Sequence, residues 1–136
     1  RAIVEAAETI SIGATKRGTT YVSDVERALL DAAARPELVG GATVLAEAIV
    51  SANGQVDARR LAEYAQRLDL GTALRRIGSV ADALDVTSLA KKLSPLSKPT
   101  SDIDLEPRAG ESVWRDARWW VRWGQSPTEL ANVARQ

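Results

Sequence analysis

Thr20-Tyr21-Val22-Ser23-Asp24-Val25-Glu26-Arg27-Ala28-Leu29-Leu30-Asp31 is the stretch on which the fold turns, because the hydrophobic period changes inside it. Up to Val22 the residues are β-branched or aromatic, and with Thr9–Gly13 and the turn formers Lys16-Arg17-Gly18 they predict a β-hairpin over residues 9–22. From Ser23 onward the spacing is helical. Ser23 and Glu26 have capping-box spacing, and Val25, Ala28, Leu29, Ala32 and Ala33 form one stripe, stopped at Arg35-Pro36.

Working outward, the next punctuation is Gly40-Gly41, followed by a helix over Ala42–Ser51 with Val44, Leu45, Ala48 and Ile49 inward. A third helix starts at the N-cap Asp57 and buries Leu61, Tyr64, Ala65 and Leu68. A fourth runs from about Thr72 to Leu84. Gly78 lies inside it, at a cost of about 1 kcal/mol relative to Ala, which calls for close packing against a neighbour or a local bend. A short fifth helix passes through Leu89, Leu93 and Leu96. Asp102–Glu106 alternates as a short strand, Ser112–Trp123 is the last extended segment, and Ser126-Pro127-Thr128-Glu129 opens a terminal helix. Strands, then about five helices, then strand and tail predict an α+β fold, the helices packed on a small, mainly antiparallel sheet. Residues 1–136 read as a single domain.

Composition narrows the chemistry. The chain has no His and no Cys, and 18 Lys+Arg balance 18 Asp+Glu. That excludes a Ser-His-Asp triad, a thiolate nucleophile, a zinc–thiolate site and a disulfide framework. Carboxylates are the acid–base groups left, and Asp24 and Glu26 already suit the positive end of a helix. Asp102-x-Asp104-x-Glu106 puts three acids on one strand face, without the further ligands that Mg²⁺ or Ca²⁺ needs. The sequence therefore assigns no catalytic residue, no cofactor and no metal, and we expect no enzyme. No apolar run approaches the about 20 residues of a membrane span, so the expected setting is the cytoplasm. The chain opens Arg1-Ala2-Ile3 with no Met anywhere, from which we expect a piece of a longer product.

Three segments also resemble the C-terminal domain of AbiEi-type antitoxins, the regulatory half of type IV toxin–antitoxin systems. They are Val22–Asp31, similar to V-S-D-P-E-R-T-L-h-D; Pro36–Gly41, similar to P-E-x-x-G-G; and Tyr64–Leu68 with Arg75–Gly78, similar to Y-A-x-R-L…R-R-L-G. Asp116–Arg122 is similar to the closing D-x-R-W-x-h-R strand. Val25 stands where the family usually has Pro, and Ala28 where it usually has Thr. The resemblance implies a non-enzymatic domain that counteracts a nucleotidyltransferase-like toxin. It also implies an N-terminal winged helix, absent from this chain, that binds promoter DNA and supports operon autoregulation. Cognate toxin or its target, and promoter DNA through that missing domain, are the partners it implies; the family supplies no catalytic residues to carry over.

Two groups of residues are candidates for macromolecular contact. Arg59, Arg60, Arg67, Arg75 and Arg76 fall on consecutive helices, either converging as a basic patch for phosphates or forming a solvated face with Glu63, Asp69 and Asp82. All four Trp lie between positions 114 and 123, with Arg115, Arg118 and Arg122 among them. Read as one strand, Trp119 and Trp123 share one face while Trp114, Arg118, Trp120 and Arg122 share the other. That second face suits a stacking platform for nucleic acid, which is the alternative reading of function, or a protein hot spot. A third reading is a core of Trp119 and Trp123, with arginines covering Trp114 and Trp120 by cation–π contact.

Overall fold

The computed structural model describes residues 14–17, 20–52, 54–107 and 110–135. Among the described residues the chain is α+β, with six α-helices and small sheets. Strands β1 (Ala14–Arg17) and β2 (Thr20–Ser23) pair antiparallel, Arg17 opposite Thr20. Lys16 and Arg17 therefore belong to a strand and not to the turn. The expected first strand, Thr9–Gly13, lies outside the described residues.

Helix α1 (Val25–Ala34) starts one residue later than the capping-box spacing suggests: Asp24 is its N-cap, accepting from the Arg27 amide at 2.9 Å. Glu26, freed from the cap, is buried at 2% exposure. Its carboxylate accepts from the Asp57 amide at 3.2 Å and lies 3.6 Å from an Arg60 Nη. That places an anion at the positive end of helix α3 (Ala58–Arg67), whose own N-cap is Asp57. Helix α2 (Ala42–Ser51) has the expected bounds. It buries Ala42, Leu45, Ala46 and Ile49, with Val44 exposed instead of inward.

Helix α4 (Gly71–Ala83) is the centre of the molecule, packing against α1, α2, α3, the short helix α5 (Thr87–Leu93), the terminal helix α6 (Pro127–Ala134) and the C-terminal sheet. Every residue from Ala73 to Ala81 is buried, so the middle of this helix has no solvent face. A helix enclosed on all sides is ordinarily apolar. This one carries Arg75, Arg76 and Ser79, which persist only because each finds polar partners. Helix α6 has the expected cap: the Ser126 hydroxyl accepts from the Glu129 amide at 3.2 Å, and Pro127 opens the first turn.

The second sheet has the order β3 (Ile103–Asp104), β5 (Val121–Trp123), β4 (Trp114–Asp116). β4 and β5 are antiparallel and β3 is parallel to β5, so this sheet is mixed. The single extended segment expected over 112–123 is a hairpin, folded at Ala117–Trp120. Trp120 takes a left-handed conformation (φ 55°) as the last loop residue, and its amide donates to the Asp116 carbonyl at 2.8 Å.

Candidate macromolecular contact surface

The core of this end of the molecule is built by the tryptophans. Trp119 and Trp123 are fully buried, with Val121 between them. Trp119 lies across Gly78 of α4, where no side chain competes for the space. Its indole Nε1 donates to Asp82 at 3.2 Å. Trp123 donates from Nε1 to the Ser79 hydroxyl at 2.9 Å, and that hydroxyl donates to an Asp116 carboxylate oxygen at 2.7 Å. The other Asp116 oxygen accepts from the amides of Arg118 and Trp119, which pins the hairpin loop. This buried chain satisfies the Trp123 indole, a hydroxyl and a carboxylate together.

Arg75 and Arg76 complete the joint, and both are buried. Each is 7% exposed. Arg75 donates to the carbonyls of Ser101, Trp119 and Trp120, holding the hairpin loop to the start of the β3 segment. Arg76 donates to Ala33 and Ala34, two of the carbonyls left open at the end of α1, and to Asp104 of β3. Burial lowers both guanidinium pKa values, partly offset by Asp102 for Arg75 and by Glu37 and Asp104 for Arg76. Both groups remain charged, since arginine titrates far above neutrality.

The outer arginines of the hairpin are each matched by an acid. Arg115 bonds Asp102 through two nitrogens, Arg118 lies 3.2 Å from Asp82, and Arg122 lies 3.0 Å from Asp104, its neighbour across the parallel pair. The Arg115 hydrogen bond holds the Asp102 carboxyl below its ordinary pKa, and the same contact raises that of Arg115. Arg115 also lies 5.8 Å from the Trp120 ring centroid. Trp114 meets Trp123 edge to face at 5.2 Å and is 37% exposed. The Trp114–Arg118–Trp120–Arg122 face is thus not a continuous ladder, because the loop at 117–120 breaks the two-residue alternation. Asp102 and Asp104, considered above as metal ligands, are the partners of these arginines; Glu106 lies against Gly41. No group of three or more acidic side chains among the described residues is arranged to hold a metal ion.

On α3 the arginines divide. Arg60 pairs with buried Glu26, and Arg67 lies 4.0 Å from Glu63. Arg59 is exposed and has no carboxylate within 4.0 Å among the described residues. It borders a groove of about 1420 Å³ between α3, the first turn of α4, and the segment from Lys92 to Thr100. Lys92 and Lys98 line the opposite side, both exposed. The sequence pointed to Arg59 but not to this groove, since its far wall comes from a Pro-rich connection with no periodic signal. Of the predicted set, the fold brings Arg75 to the backbone carbonyl of Trp120. It leaves Arg59, Arg60 and Arg67 on a separate helix, α3.

The chain matches no family model, no curated protein and no solved structure. No described helix is long and apolar enough to cross a membrane.

Proposed function

We propose that this chain is an AbiEi-type antitoxin domain, a non-enzymatic cytoplasmic module that counteracts a nucleotidyltransferase-like toxin. In the full regulator it would work beside a promoter-binding winged helix. One observation carries the reading: the segments that resemble the family, far apart in sequence, meet in space. Asp24 of the first accepts from the Tyr64 hydroxyl of the third at 2.8 Å. Arg76 closes the end of the helix that the first begins, and Gly78 receives the Trp119 ring of the last. Residues that jointly hold a scaffold are those a shared fold would repeat. The test is co-expression of the gene product with an adjacent nucleotidyltransferase-like reading frame. Growth is expected to be restored, and a fully lethal toxin in the presence of the protein overturns the proposal.

Direct nucleic-acid binding by the Trp114–Arg122 face is the second reading, supported by the partial exposure of Trp114 and Trp120. Against it, Arg115, Arg118 and Arg122 already hold carboxylates, which compete with phosphate. Oligonucleotide binding there would quench tryptophan fluorescence and weaken steeply with salt. We expect no quenching at low salt.

A further inference from the structure

We propose that the groove bounded by α3 and the Lys92–Thr100 segment receives an acidic, leucine-bearing segment of a protein partner. Its occupant is fixed by charge. Arg59, Lys92 and Lys98 line it, and none has a carboxylate within 4.0 Å among the described residues. Arg75 adds a buried positive charge at its edge, bonded to carbonyls and not to a carboxylate. The acids on the lining are mostly engaged: Asp57 caps α3 and Glu63 faces Arg67, which leaves Asp69. Cations facing one another across a cleft, with Asp69 the one lining acid left unengaged among the described residues, favour an anionic guest.

The floor decides which kind of anion. Leu96 is 47% exposed beside Pro95, and Ala62 and Leu74 continue the apolar strip. A phosphate backbone gains little from that strip. A peptide can place apolar side chains on Leu96 and carboxylates against Arg59, Lys92 and Lys98. The volume, about 1420 Å³, also exceeds the roughly 300–1,000 Å³ of small-molecule pockets and suits a helix laid in a groove. This surface is distinct from the Trp-rich hairpin, and the inference does not depend on the antitoxin reading.

The experiment titrates the ¹⁵N-labelled chain with an amphipathic peptide carrying Glu on one helical face and Leu on the other. A Lys-for-Glu peptide and oligo(dT) are the comparisons. Amide shifts at Arg59, Lys92, Leu96 and Lys98 are expected with the acidic peptide only. Binding should weaken at least roughly tenfold in Lys92→Glu/Lys98→Glu. These lysines are exposed, so the variant should keep the wild-type melting curve; Arg59→Glu, on a different element, provides an independent reversal. No shifts at these residues, undiminished binding by both variants, or tighter binding of oligo(dT) in the groove would each overturn the proposal.

Discussion

The six-membered ring of Trp119 occupies the space that a Cβ on Gly78 would need. Ring atom Cε3 would stand 2.7 Å from it, and two further ring carbons closer still. The ring cannot withdraw freely, since Trp119 is fully buried, with Nε1 on Asp82 and its carbonyl on Arg75. Gly78→Ala therefore sets a helix-propensity gain of about 1 kcal/mol against overpacking of about 1–3 kcal/mol or more. We expect net destabilisation, read as a lower urea midpoint. In Gly78→Ala/Trp119→Leu the loss should be smaller than the sum of the single losses, because the clash disappears with the ring. Strict additivity would show that the contact is not what requires glycine.

Arg76 is expected to tolerate no substitution. Arg76→Met leaves carbonyls of Ala33, Ala34 and Asp104 without their donor, a loss of about 3 kcal/mol in chemical denaturation. Arg76→Lys should recover little of it, since a point ammonium cannot reproduce the guanidinium fork. Arg67→Ala, on the exposed α3 face, should stay within about 0.5 kcal/mol of wild type. Equal effects at the two sites would contradict the buried role of Arg76.

Tyr64 gives a pH signature. Burial, and then its hydrogen bond to the Asp24 carboxylate, raise its pKa above the ordinary phenol value. A raised folded-state pKa means a contribution present in full below the unfolded phenol value of about 10 and lost as pH rises through the folded value. Tyr64→Phe should cost about 1 kcal/mol at neutral pH. Its stability curve should approach that of wild type above pH about 10. A constant gap across the alkaline range would remove Asp24 from the account.

At Trp120 the usual ranking of Ala over Gly should invert. The residue sits at φ 55°, where a Cβ costs roughly 1–2 kcal/mol. Both small substitutions lose the Arg115 contact, but only Gly escapes the strain. Trp120→Gly is expected to melt above Trp120→Ala, by the equivalent of about 1 kcal/mol. The opposite order would mean that the loop relaxes.

Helix bounds followed closely from local signals. Asp57 and Ser126 cap where their spacing says, Pro36 ends α1 at Ala34, and Gly40-Gly41 precedes α2. These are short-range effects between residues three or four apart. The hairpin at 114–123 was not readable in that way, because Trp120 lacks the Gly or Asn that ordinarily marks a left-handed loop residue. Its conformation is held from outside by Arg75, forty-five positions away. The alternation of Asp102 and Asp104 likewise carried no sign of their partners, which are Arg115 and Arg122.

The sequence by itself determined closely where most helices start and stop, the α+β class, and the absence of imidazole and thiol chemistry. These depend on side-chain type and local spacing alone. Tertiary structure decided the fate of the charges. Burial in α4 turned Arg75 and Arg76 from surface candidates into clamps on backbone carbonyls, and the packing of the hairpin against β3 and α4 matched its arginines with acids. That left Arg59, Lys92 and Lys98 facing an open groove. Adjacent arginines in a sequence carry no mark of what they will face, because a guanidinium suits solvent, a carboxylate or a buried row of carbonyls alike.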